Sequence, residues 1–359
     1  MNKNIKNRII SIIISLCFII GIVGTFPAID SQAAIVPKNG NQTLMWNTPI
    51  SGVFEKSGDA IYRYYFNLQT SGKVSFTGST SDCVGFQIFN SAGDSITSEV
   101  SIYKETGTLV ADLLAGKYYF DVSNGLNYEK FEFIATFVSS GETVNENYLS
   151  TNNSVGAATP YSIGKNYTGH LATNDDKDMY KFTLKKPGYL KLNIFTDVLR
   201  EYDIDIVNTL DTVKYREDDL GIGRTIKTYF VPAGTYYFTV YRESSSNGYV
   251  GNYSFNLSFS KIPKVAVKQF KNPAKKTVVV KCASNSKAEG YQVQISKSSN
   301  FKKGNKSQTK DGKTSTTFKF GGLKKGSVYY ARVRTYVTDG NGKKYFSAWS
   351  KVKKVKIKK

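Results

Sequence analysis

The stretch GHLATNDDKDMYKFTL, Gly169 to Leu184, runs an acidic tip straight into an alternating apolar segment. Met179, Lys181 and Thr183 alternate with Tyr180, Phe182 and Leu184, which is the period of a strand with one buried face. Within DDKD, an extended backbone places the carboxylates of Asp176 and Asp178 on one side and that of Asp175 on the other. Carboxylates crowded in this way need a cation or plentiful water. The stretch therefore predicts a sandwich edge that carries either an ion site or a solvated turn.

A second copy of the pattern lies upstream, GVFEKSGDAIYRYYFNL at Gly52 to Leu68. Further landmarks repeat at an offset of about 117 residues: LLAGKYYFDV (Leu113 to Val122) matches VPAGTYYFTV (Val231 to Val240), and each copy closes on an aromatic alternating run, FEFIATF at Phe131 or NYSFNLSF at Asn252. A repeat of that length is a duplicated domain and not a solenoid unit. Short runs rich in Val, Ile, Tyr and Phe, separated by Gly, Asn, Asp and Ser, predict an all-β chain of sandwich domains. No sustained helical period follows the first 34 residues.

Those 34 residues form no domain in this reading. Lys3, Lys6 and Arg8 precede an apolar run from Ile9 to Val23, and Ser31, Gln32 and Ala33 follow, which is the layout of a secretory signal peptide. The run is short for a membrane span, and no other stretch approaches the roughly 20 apolar residues that a span requires. The expected protein is secreted or associated with the cell wall, with no transmembrane anchor, and monomeric. Residues 35–140 and 141–260 are the two copies, and residues 261–359 form a third domain.

Charge separates that third domain from the others. The chain carries a net +21, yet residues 261–359 alone hold 27 Lys and Arg against three acids, Glu289, Asp311 and Asp339. Of the three cysteines, Cys17 leaves with the signal, while Cys83 and Cys282 fall in different domains, so no disulfide framework follows. One histidine, His170, and no CxxC pair remove the usual zinc arrangements.

The landmarks of the repeat resemble the bacterial pre-peptidase C-terminal domain, a jelly-roll-like β-sandwich appended to secreted proteases and surface proteins. The second copy carries the resemblance through ENYLSTNNSVGAA (Glu146 to Ala158), DDKDMYKFTL, YDIDIV (Tyr202 to Val207) and AGTYYFTV. The first copy keeps AGKYYFDV and the closing run but has SGDAIYRYYF in place of the acidic tip, so an ion is not expected at its lone Asp59. In the second copy the resemblance implies a structural calcium ion, with Glu146, Asn152 and Asn153 folding back to meet Asp175, Asp176 and Asp178. Calcium takes six to eight oxygen ligands, and the order of these acids does not fit an EF-hand loop.

The last hundred residues resemble a fibronectin type III domain. KTVVVKCAS, GYQVQIS, TSTTFKFGGL, VYYARVRTYVT and KVKKVKIK are five alternating runs. Leu323 and Tyr329 resemble its L…Y corner, and Trp349 in YFSAWSKV resembles the approach to its last strand. Cys282 departs from the pattern, standing where the family usually has a tryptophan.

Two further sets of residues are candidates for ligand binding. Tyr236 and Phe238 fall on one strand face; Tyr237 falls on the other with Tyr241, and flat rings there would suit a glycan or a fibrous protein. Collagen-binding modules of the pre-peptidase family use surface tyrosines, which extends the expectation to host matrix protein. Lys302, Lys303, Lys324 and Lys325 line loops of the basic domain and set up a field that attracts anionic cell-wall polymers or acidic glycans. Export makes specific nucleic acid a poor partner. Catalysis finds no support: a nucleophile would need His170, and Asp203 and Asp205, two apart on one strand face, are too close and regular to act as acid and base across a substrate. The sequence thus reads as a secreted, non-catalytic surface or matrix-binding protein, with an accessory or targeting subunit of a secreted hydrolase as the alternative.

Overall fold

The computed structural model describes residues 42–54, 61–124, 130–209, 214–242 and 249–358. The signal-type segment and Asp59 lie outside the described residues. Alternation sets the strands throughout: in Lys177–Leu184 the buried residues are Asp178, Tyr180, Phe182 and Leu184, and in Ile61–Leu68 they are Tyr62, Tyr64, Phe66 and Leu68. No α-helix occurs among the described residues.

The first module contains β1 (Gln42–Thr43), β2 (Pro49–Val53), β3 (Ile61–Leu68), β4 (Gly72–Thr80), β5 (Cys83–Asn90), β6 (Val100–Tyr103), β7 (Thr106–Leu113), β8 (Gly116–Asn124) and β9 (Lys130–Ser139). The second contains β10 (Thr159–Pro160), β11 (Asn166–Leu171), β12 (Lys177–Leu184), β13 (Gly188–Thr196), β14 (Tyr202–Asn208), β15 (Lys214–Leu220), β16 (Gly223–Val231), β17 (Gly234–Tyr241) and β18 (Gly251–Lys261). Their sheets run β1-β3-β8-β5-β6 against β2-β9-β4-β7, and β10-β12-β17-β14-β15 against β11-β18-β13-β16. Adding nine to each strand of the first module reproduces the second, so the duplication extends to strand order.

The remaining strands are β19 (Val267–Ala274), β20 (Thr277–Cys282), β21 (Gly290–Ser296), β22 (Lys306–Asp311), β23 (Thr317–Phe320), β24 (Val328–Thr338), β25 (Lys344–Phe346) and β26 (Lys353–Lys356). A three-stranded sheet, β19-β20-β23, faces a sheet in which β22, β21 and β24 are neighbours and both β25 and β26 pair with β24. A three-stranded sheet against a five-stranded one, the last two short strands sharing one edge of β24, is an immunoglobulin-like sandwich. Each sandwich encloses its own hydrophobic cluster, one around Phe76 and Phe120, one around Leu192 and Phe238, one around Val280 and Val333.

Tyrosine hydroxyls fasten the corners. Tyr118 donates to the carbonyl of Leu114 at 2.9 Å and Tyr236 to that of Pro232 at 3.0 Å, the same bond in both copies of the YYF triplet. In the third module the Tyr329 hydroxyl accepts from the amide of Lys324 at 3.3 Å beside buried Leu323. Cys282 is buried among the core residues there, and its thiol donates to the carbonyl of Thr316 at 3.3 Å.

The first two modules are joined by residues 140–158, which lie against both. The amide of Ser71 donates to the side-chain oxygen of Asn145, whose nitrogen in turn donates to the carbonyl of Gln69, and the amide of Ala115 donates to the carbonyl of Glu146. Gly116, with φ of +151°, leaves room for the Tyr148 ring; a Cβ there would lie 2.3 Å from it. From the second module, the amide of Thr173 donates to the carbonyl of Asp112 and Asn174 accepts the amide of Leu114. The acidic tip therefore sits at a three-way junction of first module, linker and second module.

Candidate metal centre

Strand β12 begins at Lys177, after a tight turn in which Ala172 and Asp175 exchange backbone hydrogen bonds. The guanidinium of buried Arg242 clamps that turn from within, donating to the carbonyls of Ala172 at 2.8 Å and Thr173 at 3.1 Å. The turn corrects the expected side assignment. Because the backbone is not extended across Asp175 and Asp176, alternation by two does not apply: Asp175 and Asp178 are both turned inward, 3% and 2% exposed, and the side chain of Asp176 stands in solvent. The carbonyl of Asp176 accepts the amide of Arg242 at 3.0 Å.

Carboxylate oxygens of Glu146, Asp175 and Asp178 lie within 4.8 Å of one another, all three residues buried. Asparagines orient two of them. Asn153 donates to Asp175 Oδ1 at 2.6 Å, and Asn152 donates to Asp178 Oδ1 at 3.3 Å while its own oxygen accepts the amide of Met179 at 2.8 Å. Asp178 Oδ2 accepts the hydroxyl of Tyr253 at 2.6 Å, and Tyr253 is paired in turn with Tyr180 at 2.9 Å. Gly169 makes that pair possible. A Cβ at this position would lie 2.3 Å from the Tyr253 hydroxyl and 2.5 Å from that of Tyr180.

What remains is an excess of acceptors. Among the described residues, both oxygens of Glu146, Oδ2 of Asp175, Oδ1 of Asn153 and Oε2 of Glu142 are buried without a hydrogen-bond donor. Burial, then the charges of Asp178, Asp175 and Glu142, push the Glu146 carboxyl up to about 10. Burial likewise raises Asp175 to about 6 and holds Asp178 and Glu142 above the usual carboxylate range. Leaving such groups charged and unpaired is costly, and a cation of hard character is the partner that an all-oxygen set of this kind accepts. Glu142, Arg242, Tyr180 and Tyr253 are parts of the centre that sequence reading did not name. One signal was available: Asp178 shares the phase of Tyr180, Phe182 and Leu184, which places an acid on the core face. In the first module the matching register of β3 is held by Tyr62, whose hydroxyl donates to the carbonyl of Val53 at 2.8 Å.

The other candidates lie elsewhere. Tyr237, 8% exposed, and Tyr241 line an open groove of about 520 Å³ on the outer face of β12, β17 and β14 together with Met179, Thr239, Asp205 and Val207. Lys302 and Lys303 are exposed in the turn between β21 and β22, and Lys324 and Lys325 in the turn between β23 and β24. His170 is 2% exposed at the module junction, its Nδ1 2.7 Å from Asn252 Oδ1.

The chain resembles the pre-peptidase C-terminal domain of collagenase from Bacillus anthracis (16% identity, TM-score 0.26, 28% of this chain and 94% of that one). It also resembles a two-domain fibronectin type III segment of chicken tenascin (16%, TM-score 0.30, 51% and 99%) and the FN1–FN3 domains of chicken CNTN1 (10%, TM-score 0.24, 83% and 98%). The solved structures that the chain is similar to thus include a pre-peptidase C-terminal domain and fibronectin type III domains. No family model and no curated protein matches the sequence. Among the described residues, no helix is long and apolar enough to cross a membrane.

Proposed function

We propose that this is a secreted, non-catalytic binding protein of the cell surface or extracellular matrix, in which a structural Ca2+ ion closes the junction between the first two modules. The observation that carries the reading is the set of five buried acceptor oxygens without donors around Glu146, Asp175 and Asp178. Glu146, Asp175 and Asp178 would hold the ion with Asn153 Oδ1, and Glu142 would add charge from the linker. Calcium supplies the positive charge that these oxygens lack and tolerates irregular oxygen geometry. Because Glu146 hangs from the linker and Asp175 from the tip docked on the first module, the ion would fix the angle between the two sandwiches. The third module, with its excess of cations, would hold the protein on anionic wall polymers or glycans.

A non-catalytic role is favoured by how the lone imidazole is held: it is 2% exposed at the wall of a cavity of about 590 Å³ between two modules, its nitrogens turned to Asn252 and Asp112. The groove over Tyr237 and Tyr241 favours a second reading, an accessory or targeting subunit of a secreted hydrolase that engages polysaccharide or collagen there. Calorimetric titration of the full chain with Ca2+ and with Mg2+ after chelator treatment tests the ion. The reading requires Ca2+ to bind and to raise the melting temperature; no heat and no shift would remove it.

A further inference from the structure

On the outer face of the third module, two arginines are built into an aromatic stack. The guanidinium carbon of Arg332 lies 4.2 Å from the ring centre of Phe301 and 4.3 Å from that of Trp349; that of Arg334 lies 4.4 Å from Trp349 and 3.8 Å from Phe346. Cations and rings thus alternate in the order Phe301, Arg332, Trp349, Arg334, Phe346. Glutamines on the neighbouring strand fix the edges of the guanidiniums. Gln294 Oε1 accepts from Arg332 Nε at 2.8 Å and Nη2 at 2.5 Å, and Gln292 Oε1 accepts from Arg334 Nε at 2.8 Å. The glutamine amides are anchored in turn on Thr309 and Ser307 of β22.

No carboxylate completes this arrangement. All three acids of the module are engaged elsewhere: Asp311 with Tyr336 and Lys344, Glu289 with Thr338, Asp339 with the amides of Asn341 and Lys343. Burial holds both guanidiniums below their usual range, and the charge of Arg332 lowers Arg334 further. Nη1 of each arginine has no acceptor among the described residues. Further along the same face stand exposed Lys354 and Lys356, paired in register with Tyr330 and Val328. Half-buried like charges two residues apart, immobilised and without a counter-ion, are the signature of a site awaiting an anion.

We propose that this ladder binds a phosphodiester-linked polymer, successive phosphates of which take the free edges of Arg332 and Arg334. The proposal rests on the reading that the third module holds anionic polymers, and it names the atoms and the ligand class. Residues two apart on a strand are about 7 Å apart, comparable to the separation of adjacent phosphates in a short polyol phosphate chain. Each phosphodiester offers two non-bridging oxygens to the paired N–H groups of a guanidinium, the geometry for which arginine is suited and lysine is not. The repeat between phosphates can lie across the exposed edge of Trp349. A lipid surface is a poorer occupant, since Phe301 is 5% exposed and Trp349 and Phe346 are partly buried, leaving none of the stacked rings free to enter a bilayer.

The test uses the full chain and a synthetic poly(glycerol phosphate), with poly-glutamate of equal charge as the carboxylate polymer and phosphatidylglycerol vesicles as the lipid arm. The expected result is that the native protein binds poly(glycerol phosphate) more tightly than poly-glutamate, and that Arg332→Lys with Arg334→Lys, which keeps the net charge but loses the paired bonds of the guanidinium, weakens poly(glycerol phosphate) binding by about tenfold or more. Should the double variant unfold, mass spectrometry of the native protein replaces it: a dicarbonyl reagent that modifies arginine should spare Arg332 and Arg334 when the polymer is bound. Equal binding by the variant, or equal modification with and without polymer, overturns the proposal. If binding is instead lost only when Lys302, Lys303, Lys324 and Lys325 are changed to Gln, the anionic-polymer reading stands and the ladder does not carry it. Binding to vesicles alone overturns the proposal in favour of lipid; binding to none of the three removes both readings.

Discussion

Nε2 of His170 in β11 lies 3.7 Å from Oδ1 of Asp112 in β7, across the boundary between the first two modules. Nδ1 faces Asn252 Oδ1 at 2.7 Å, so the ring proton belongs on Nδ1 and the Nε2 lone pair is turned toward the carboxylate. Among the described residues, Nε2 has no hydrogen-bond partner. Burial, partly offset by Asp112, holds the imidazole below its usual 6.5, and burial raises Asp112.

The sign of the histidine effect follows from these directions. Below pH 6.5 the unfolded chain takes up a proton that the folded His170 resists, so its contribution is to lose stability as pH falls through 6.5. His170→Gln should remove that loss. Melting curves of the two proteins between pH 7.5 and pH 5 should converge on acidification if the variant starts lower, or diverge in its favour if it starts equal; parallel curves would show that the imidazole does not resist protonation.

The acid centre has the opposite slope. Asp175, raised to about 6, and Glu146, raised to about 10, bind protons in the fold that they release when unfolded, so without a cation stability falls as pH rises above the unfolded carboxylate range. Chelated protein should therefore melt higher at pH 5 than at pH 8, and saturating Ca2+ should flatten or reverse the trend. Ca2+ binding should also release protons, read as a dependence of the calorimetric heat on the ionisation enthalpy of the buffer.

Substitutions at the tip should separate the buried acids from the exposed one. Asp178→Asn removes a charge from a crowded, desolvated group, so the chelated protein should melt no lower than wild type, while the Ca2+-induced shift disappears. At a hundredfold excess over Kd that shift corresponds to about 2.7 kcal/mol. Asp176→Asn, which alters only a solvent-exposed side chain, should leave the shift intact.

Gly169 provides a test at one remove from the ligands. In Gly169→Ala the new methyl group meets the hydroxyls of Tyr253 and Tyr180, both buried and hydrogen-bonded, so neither can yield. Overpacking of this kind costs about 1–3 kcal/mol. Denaturant unfolding should show that loss, and Ca2+ affinity should fall with it because Tyr253 orients Asp178.

Much of the architecture is legible residue by residue. The alternation of Tyr180, Phe182 and Leu184, and of Tyr62, Tyr64, Phe66 and Leu68, marks core faces because side chains of an extended strand alternate whatever their partners. The corner tyrosines of the YYF triplets and the basic charge of the third module are equally local facts. Strand β22 is different: its residues are exposed or only partly buried, so it leaves no alternation to read.

The amino-acid sequence by itself determined that this chain is built of β-sandwiches, that the first two are copies, and that acids cluster at the tip of the second. Only the tertiary structure decided which acids meet. Asp176 drops out and Asp175 turns inward because a clamped turn, and not a strand, carries the tip; Glu146 meets Asp175 and Asp178 as the resemblance implied, and Glu142 comes with it because the linker folds back over the first module. His170 finds Asp112, and Arg332 and Arg334 find Trp349, by the same kind of long-range approach. Periodicity is a property of neighbours along the chain, whereas the convergence of charges depends on turns and interfaces that no local pattern encodes.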